Sequence, residues 1–245
     1  MAILRLLRDL IERIFGIYMY RKLPRGINMF RDISLSMPDY SFNVVFDVGA
    51  NEGQSIRFYK KYCPTAQFYC FEPAKDTFEI LSSNVGSGNV HCLNFALSDR
   101  NSDAELVRSG SSDTFYVHDP DAHQEDEVGA NRESISLKRL DDYCKQAEIS
   151  HISLLKIDTE GSDFSVLQGA ESMLTEHKVD WIVVEAGMNP NNTRHVPFEK
   201  IKAYLESKGY YLFAFYEQVN EWPTSEPNLR RTNPLFMSQR LYRNA

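Results

Sequence analysis

Short apolar runs alternate with amphipathic stretches along the chain from residue 44 onward. The runs are rich in β-branched and aromatic side chains, and they cover residues 44–48, 66–72, 90–97, 152–158 and 179–186. Apolar residues at helical spacing fill three of the intervals, at residues 53–63, 76–85 and 162–177. Continuous apolar strands separated by helices predict a parallel sheet that helices cover on both faces.

The alternation changes in two places. Near the C-terminus, a predicted helix over 197–210 leads to two β-like runs, 210–219 and 233–243, which predict an antiparallel hairpin that closes the sheet. The polar, acidic segment 98–150 predicts an excursion near the ligand face that carries an edge hairpin. The predicted fold class is therefore α/β, a single doubly wound Rossmann-like domain with a mostly parallel sheet and an antiparallel C-terminal hairpin.

An apolar stripe at helical spacing runs through the N-terminal segment, formed by Ile3, Leu4, Leu7, Leu10, Ile11, Ile14, Ile17 and Tyr18. Residues 1–25 also carry six basic and two acidic side chains. Two interpretations stay open: the helix packs on its own domain or on a twin subunit, or it rests on a membrane surface. We divide the chain into an N-terminal helix with its connection over 1–40 and one domain over 41–245.

Composition excludes some classes of protein. A net charge of −7 argues against a nucleic-acid partner, which needs a broad basic surface. No run reaches the roughly 18 apolar residues of a membrane span, and the N-terminus has no signal-peptide pattern. The four cysteines are scattered and have no metal-ligand spacing, so we expect reduced, mostly buried thiols in a cytoplasmic protein. Peripheral membrane contact through the N-terminal helix stays open.

Polar side chains follow the predicted strands where each strand ends. In open α/β sheets, ligands bind beyond the carboxyl ends of the strands, at the point where the strand order reverses. Acids stand at four of the five strand ends, which predicts a shared binding cleft; the polar residues at these ends are Asp47, Glu52, Glu72, Asn94, Asp158, Glu160 and Glu185.

The turn after the first strand, in VVFDVGANEG (44–53), resembles a phosphate loop but lacks its second glycine. Asn51 occupies that position, and the acids Asp47 and Glu52 disfavour a diphosphate. Glu72 follows Gly53 at the distance expected for a carboxylate that accepts hydrogen bonds from a ribose diol. These features favour S-adenosylmethionine over NAD, because its ammonium and sulfonium groups are positively charged.

Several longer motifs follow one another in the chain: VFDVGANEGQ, FEPAKDTFEIL, NFALSD, SLKRLDDYC, LLKIDTEGSDFSVLQGA, VVEAG and GYYLFAFYEQV. With these motifs the chain resembles the FkbM family of S-adenosylmethionine-dependent methyltransferases over about residues 24–240. The resemblance implies the class I methyltransferase sandwich, with seven strands and the last one antiparallel. It also implies methylation of a hydroxyl on a sugar, a glycan or a related small molecule.

The resemblance implies roles for single residues. The methionine end of the cofactor is assigned to Asp47, Gly49, Asn51 and Gly53. The ribose is assigned to Glu72, which Pro73 follows, and the adenine to Asn94, Ala96 and Leu97. Asp158 and Glu160, two residues apart at a strand end, are expected to lie on one side and to face the transferred methyl group and the acceptor.

A sugar hydroxyl is a weak nucleophile, so we expect a general base or a divalent metal to assist it. The candidate bases are Asp158, Glu160 and His195. In the alternative interpretations, Asp158 binds the cofactor ammonium, Glu160 complements a helix dipole, and His195 has a surface or structural role.

We assign no metal ligand, and a magnesium site from Asp158, Glu160 and Glu185 stays open as the alternative. Asp141 and Asp142 are expected at a helix N-terminus.

Two other functions remain as alternatives to a methyltransferase. A non-catalytic binding module of the same fold would not need the acids at the strand ends. A nicotinamide-dependent oxidoreductase would need the glycine that Asn51 replaces. A homo-oligomer also stays open.

Overall fold

A computed structural model describes residues 10–16, 20, 22–108, 115–118, 132–224 and 226–243. Residues 10–15 are helical and form α1. Five members of the N-terminal stripe lie outside the described residues, and two described members, Leu10 and Ile14, are exposed. Both interpretations of the N-terminal helix therefore remain predictions.

The described strands and helices alternate over most of the chain. The helices are α2 (Met29–Ser36), α3 (Gln54–Tyr59), α4 (Lys75–Val85), α5 (Leu140–Gln146), α6 (Asp163–Gly169), α7 (Glu171–Thr175), α8 (Phe198–Ser207) and α9 (Gln239–Arg243). The strands are β1 (Val44–Val48), β2 (Gln67–Phe71), β3 (Val90–Leu93), β4 (Ala96–Ser98), β5 (Ser102–Arg108), β6 (Phe115–His118), β7 (Arg132–Arg139), β8 (Ile152–Ile157), β9 (Val179–Val184), β10 (Ala186–Gly187), β11 (Tyr210–Asn220) and β12 (Leu229–Ser238). Each predicted apolar run thus contains at least one strand.

The main sheet confirms the doubly wound architecture. It has eight strands instead of the expected seven, because the two-residue strand β10 also pairs with β12. The order is β10–β12–β9–β8–β1–β2–β3, and β11 pairs with β12. Strands β3, β2, β1, β8 and β9 are parallel, while β12 is antiparallel to both β9 and β11. The strand order reverses between β1 and β8, so the ligand crevice is expected at the carboxyl ends of these two strands.

Two apolar clusters form the core, one on each face of the main sheet. Alternate residues of each strand point to opposite faces. In β1, Phe46 and Val48 therefore pack in the cluster that includes α5, α6, α7 and α8. Val45 packs in the other cluster, with residues of α2, α3 and α4. This alternation places Asp47 on the face covered by α2, α3 and α4.

The segment 98–150 forms more than the predicted edge hairpin. Strands β4, β7, β5 and β6 build a second sheet in that order, with β4 parallel to β7 and the remaining pairs antiparallel. Ala96, Leu106, Ile135 and Leu137 are buried in a small apolar cluster of this sheet. The apolar alternation within each of these strands does not specify its pairing partner. A four-stranded sheet therefore could not be distinguished from a single hairpin by the sequence.

The predicted first and last residues of two strands were wrong. The run over 90–97 is divided between β3 and β4, which belong to different sheets, because the chain leaves the main sheet after Leu93. The predicted strand over 233–243 begins earlier, at Leu229, and gives way to α9 after Ser238.

The predicted connection before residue 41 contains a helix that belongs to the core. Asn28 caps α2, because its side-chain oxygen accepts a hydrogen bond from the Arg31 amide. The buried side chains of Met29, Phe30 and Ile33 join the cluster beneath α3 and α4. Helix α2 therefore packs as part of the core although it lies before residue 41, and the division of the chain into 1–40 and 41–245 stays a prediction.

Candidate active site

The glycine turn after β1 brings two strands close together. The Gly49 and Ala50 amides both donate to the carbonyl oxygen of Phe71. Gly49 has φ +76°, and a Cβ atom there would lie 1.9 Å from the carbonyl oxygen of Asp158. A side chain at this position is therefore excluded by the end of β8.

The other two turn positions also have left-handed backbone. Asn51 has φ +47°, and Gly53 has φ +85°. A Cβ atom at Gly53 would lie 2.3 Å from a side-chain carbon of Val85 in α4. Helix packing thus explains Gly53 without a ligand, while its predicted role at the cofactor stays a prediction.

Glu72 follows β2 and is held from both sides by backbone amides. Its two carboxylate oxygens accept hydrogen bonds of 3.0 Å from the amides of Asn51 and Ala74. Burial raises the pKa of Glu72 to about 7, and these two amide hydrogen bonds oppose the increase. The glycine turn therefore fixes the orientation of the predicted ribose-binding carboxylate.

The residues predicted to frame the adenine have different environments. The Asn94 amide group donates to the carbonyl oxygens of Glu72 and Pro73, so it braces the turn that carries Glu72. Ala96 packs in the cluster of the second sheet, and Leu97 packs in the main core. These neighbouring side chains belong to different clusters, so they do not form one surface together.

Asp47 is completely buried and paired with a lysine that the sequence analysis had not selected. Lys156 Nζ lies 2.9 Å from Asp47 Oδ1 and 3.4 Å from Asp158 Oδ2. The parallel register of β1 and β8 places Asp47 directly beside Lys156. Asp47 is thus held in place by Lys156, and its predicted role at the methionine end of the cofactor stays a prediction.

Burial and charge act in opposite directions on this pair. Burial raises the pKa of Asp47, and the Lys156 charge offsets only part of the increase. Burial alone would lower the pKa of Lys156, but the charges of Asp47 and Asp158 outweigh it and hold that pKa well above its ordinary value. Lys156 therefore remains a cation in the buried site.

A cavity of about 360 Å³ lies beside this pair. Its wall combines the start of α2 with the residues before it, helix α3, the end of β8, and residues of β9, β11 and β12. The Asn233 side-chain oxygen is buried and has no hydrogen-bond partner among the described residues. The polar residues that line the cavity include Asn28, Ser55, Lys156, Asp158, Glu217 and Asn233.

The turn after β8 corrects the predicted orientation of two acids. Asp158 lies by Lys156, whereas Glu160 points toward Arg194, with Oε2 2.9 Å from Arg194 Nε. The strand ends at Ile157, and Glu160 and Gly161 have φ values of +56° and +116°. This turn directs Asp158 and Glu160 to different partners, because the two-residue period of a strand no longer applies.

Glu160 lies beside two residues from the end of β9 and the following loop. His195 Nε2 is 3.0 Å from Glu185 Oε2 and 3.7 Å from Glu160 Oε2. Glu185 and His195 are buried, while the Glu160 side chain is 38% exposed. We call Glu160, Glu185 and His195 the acid–histidine cluster.

Arginines and an asparagine surround the acid–histidine cluster. Arg231 pairs with Glu185 Oε1, and Arg194 pairs with Glu160. The Asn192 side chain lies 2.8 Å from His195 Nδ1, and its oxygen is 3.3 Å from the His195 amide nitrogen. Burial raises the pKa of Glu160, and Glu185 adds to this effect against the charge of Arg194.

The open magnesium alternative grouped Asp158 with Glu160 and Glu185. The structure instead places His195 with the two glutamates, and Asp158 with Lys156.

Asp141 and Asp142 lie in the first turn of α5 as predicted, and Asp141 also accepts hydrogen bonds from the amides of Ser172 and Met173. This acid pair therefore has a structural role outside the cleft.

No sequence motif predicted four further residues of the site, Lys156, Asn192, Arg194 and Arg231. Lys156 interrupts the apolar run of β8 one residue before the strand ends, and this was the available signal for a buried ion pair. The other three contact the cluster from the segments 192–194 and 229–238, whose approach depends on long-range packing.

The fold and the cleft define a class of protein. The parallel strands are ordered β3–β2–β1–β8–β9, β12 pairs antiparallel with β9, and β11 pairs antiparallel with β12. This is the class I methyltransferase fold that the motifs predicted. Residues 47–212 match the family model described as the methyltransferase FkbM domain. The chain therefore belongs to the FkbM family of methyltransferases, and the predicted family is confirmed.

Named relatives support this assignment. The 2-O-methyltransferase NoeI of Sinorhizobium fredii is 27% identical over 174 residues, which cover 64% of this chain and 68% of the relative. The hexuronic acid methyltransferase AglP of Haloferax volcanii is 29% identical over 157 residues, covering 61% of this chain and 59% of the relative.

Solved structures of other methyltransferases are more distant. The N-terminal domain of human METTL16 in complex with SAH has a TM-score of 0.48 and 13% identity, covering 96% of this chain and 80% of that chain. A TehB-like SAM-dependent methyltransferase from Corynebacterium glutamicum has a TM-score of 0.43 and 11% identity, covering 96% of each chain.

Proposed function

We propose that this methyltransferase uses S-adenosylmethionine to methylate a hydroxyl group of a sugar. Membership of the FkbM family supports methyl transfer. Its similarity to a 2-O-methyltransferase and to a hexuronic acid methyltransferase supports an oxygen nucleophile and a sugar acceptor.

The observation that carries the proposal is the position of Glu72. Its carboxylate is fixed at the end of β2, beside the point where the strand order reverses, by amides of the glycine turn and of the start of α4. A fixed carboxylate accepts hydrogen bonds from both hydroxyls of a ribose at little conformational cost. Asn51 replaces the glycine that a dinucleotide would need, so the adjacent turn suits a nucleoside without a diphosphate.

The cavity beside Lys156 fits the amino-acid end of the cofactor. A methionine group carries an ammonium and a carboxylate, which match the charges of Asp158 and Lys156 on the cavity wall. The unpartnered oxygen of Asn233 supplies a further acceptor for the ammonium. In this arrangement Asp158 binds the cofactor, and Asp47 keeps Lys156 charged and oriented.

The reaction then takes place between this cavity and the acid–histidine cluster. The acceptor oxygen attacks the methyl carbon, the bond from carbon to sulfur breaks, and S-adenosylhomocysteine is the second product. Glu160 and His195 lie on the β8 and β9 side of the crevice, where each is a candidate to take the hydroxyl proton.

The described helices are each too short or too polar to traverse a bilayer. We propose the cytoplasm as the compartment, because the four cysteines are unpaired and three of them are buried.

Calorimetry with S-adenosylhomocysteine tests the cofactor directly. We expect stoichiometric binding to the wild type and at least about tenfold weaker binding to Glu72→Ala, since two hydrogen bonds to the ribose are lost. Glu79→Gln, an exposed position on the neighbouring helix α4, is the matched control. Transfer of labelled methyl groups to a panel of sugars then tests the acceptor, and a chain that binds no S-adenosylhomocysteine would refute the proposal.

A further inference from the structure

The acid–histidine cluster has the composition of a metal site. Glu160, Glu185 and His195 each offer one ligand atom, and these atoms all lie within 4.8 Å of one another. The three residues come from the turn after β8, the end of β9 and the loop before α8, at the carboxyl edge of the sheet. We propose that they bind a divalent first-row transition-metal ion.

The spacing of the ligand atoms suits such an ion. Ligands about 2.1 Å from an octahedral ion lie about 3.0 Å apart when they occupy neighbouring positions. His195 Nε2 is 3.0 Å from Glu185 Oε2 and 3.7 Å from Glu160 Oε2. A small movement of the more exposed Glu160 therefore brings all three atoms to coordination distance.

Glu185 gives a second, independent indication. Its side chain is 3% exposed, and among the described residues its Oε2 atom has no hydrogen-bond partner although His195 is near. Leaving a buried carboxylate oxygen without a hydrogen bond is costly, so such an atom needs an explanation, and a bound ion supplies one. Arg231 occupies the other oxygen of Glu185, which leaves Oε2 directed toward the cluster.

Asn192 provides the support that a metal-binding histidine needs. Its side-chain oxygen lies 3.1 Å from His195 Nδ1 and accepts hydrogen bonds from the amides of Arg194 and His195, while its side-chain nitrogen lies 2.8 Å from the same Nδ1 atom. In the tautomer that donates from Nδ1 to the Asn192 oxygen, His195 presents the lone pair of Nε2 to a metal. The ring orientation is therefore fixed by the loop between Asn192 and His195.

Arg194 is the competing cation. It pairs with the same Glu160 oxygen that faces His195, and its side chain is 38% exposed. Its exposure allows it to move into solvent when a metal ion binds. Arg231 pairs with the outer oxygen of Glu185, away from the cluster, and is able to remain when the ion binds.

The donor set indicates which ions fit. Two carboxylates and one imidazole suit Mn²⁺ or Zn²⁺ better than Mg²⁺, which prefers an all-oxygen set. Three protein ligands leave coordination positions open for an acceptor hydroxyl. This role rests on the proposed function: the ion lowers the pKa of the hydroxyl, its proton leaves to water, and Glu160 and His195 serve as ligands instead of bases.

Titration with Mn²⁺, followed by electron paramagnetic resonance and calorimetry, tests the site without requiring catalysis. After dialysis against EDTA, we expect one ion to bind per chain. Binding should weaken at least about tenfold in His195→Ala and Glu185→Gln, because each removes one of three protein ligands. Glu199→Gln, an exposed acid in the first turn of α8, is the matched control.

Arg194→Gln keeps the test decisive if a buried variant fails to fold. This substitution lies on the surface and removes the competing charge, so we expect Mn²⁺ to bind about threefold or more tightly than to the wild type. Absence of stoichiometric Mn²⁺ binding in both the wild type and Arg194→Gln overturns the metal site. Binding that Glu185→Gln and His195→Ala leave unchanged also overturns it.

Separate measurements distinguish this inference from the proposed function. Methyl transfer that is insensitive to EDTA, without Mn²⁺ binding, would refute the metal site and leave the methyltransferase proposal intact. Stoichiometric Mn²⁺ binding by a chain that does not bind S-adenosylhomocysteine would support the site and refute the proposed cofactor.

Discussion

At the scale of single residues, Glu72 is the side chain whose ionisation is expected to matter near neutral pH. Its folded pKa of about 7 lies above the ordinary value of 4.5, since the side chain is buried. The protonated form is therefore favoured by folding, and this contribution to stability is lost as the pH rises through about 7. Cofactor binding is expected to have the opposite preference, because the proposed ribose contact needs an ionised carboxylate that accepts two hydrogen bonds.

We predict that affinity for S-adenosylhomocysteine falls as the pH drops below about 7, by up to about tenfold at pH 6. Calorimetry at pH 6, 7 and 8 measures this dependence. Glu72→Gln should bind weakly with little pH dependence, whereas Glu79→Gln should follow the wild type. A wild-type affinity that is constant across this range contradicts the role of Glu72.

The buried pair of Asp47 and Lys156 gives a second prediction at this scale. Replacing Lys156 by Met leaves Asp47 buried without its charge partner, so we expect a loss of about 3–5 kcal/mol in the free energy of unfolding. The double variant Asp47→Asn with Lys156→Met should recover much of this loss, because neither charge remains. Urea denaturation of the wild type, single and double variants measures the coupling, and additive losses would argue against it.

At the scale of elements, the approach of β1 to the end of β8 depends on Gly49. Gly49→Ala adds a methyl group against the Asp158 carbonyl and keeps an unfavourable positive φ, so we expect at least about 2 kcal/mol of destabilisation. Gly16 is the control, since its φ is +65° but a Cβ atom there meets nothing within 4 Å. Thermal unfolding of both variants separates the close contact from backbone strain, and equal losses would contradict the role of the contact.

Strand and helix positions were more predictable than side-chain partners. The runs that became β1, β8 and β9 were recognisable because both faces of these strands are buried, which gives continuous apolar sequence. The pairing of Lys156 with Asp47 depends on the register of β1 against β8, which no local pattern specifies. The second sheet was missed for the same reason, since its strands pair across residues 96–139.

The sequence indicated which residues of the candidate site share one edge of the sheet, but not their contacts. Acids at strand ends were expected there because the carboxyl ends of parallel strands lie at one edge. The positive φ at Glu160 separates it from Asp158, and Gly161 was the available signal for that turn. His195 joins Glu185 only through the path of the loop from β10 to α8, and this path is a property of the tertiary structure.

At the scale of the whole molecule, cofactor binding should stabilise the fold. A ligand at 100 times its dissociation constant adds about 2.7 kcal/mol to the free energy of unfolding. For a chain of 245 residues this corresponds to an increase in Tm of about 5–10 °C. Differential scanning fluorimetry with S-adenosylhomocysteine measures it. NADH should produce no increase, and an increase with NADH alone would favour the oxidoreductase alternative.

The second sheet has a consequence for how acceptor preference is able to change. Its strands lie in the chain between Glu72, which is proposed to bind the nucleoside, and the acid–histidine cluster, which is proposed to receive the acceptor. A single crossover within this interval, between the genes of related chains, would replace the C-terminal part that holds the proposed acceptor site. It would retain the N-terminal part that holds the proposed nucleoside site. The contact between Gly49 and Asp158 sets the condition for such hybrids, since both halves must preserve the backbone approach of β1 and β8.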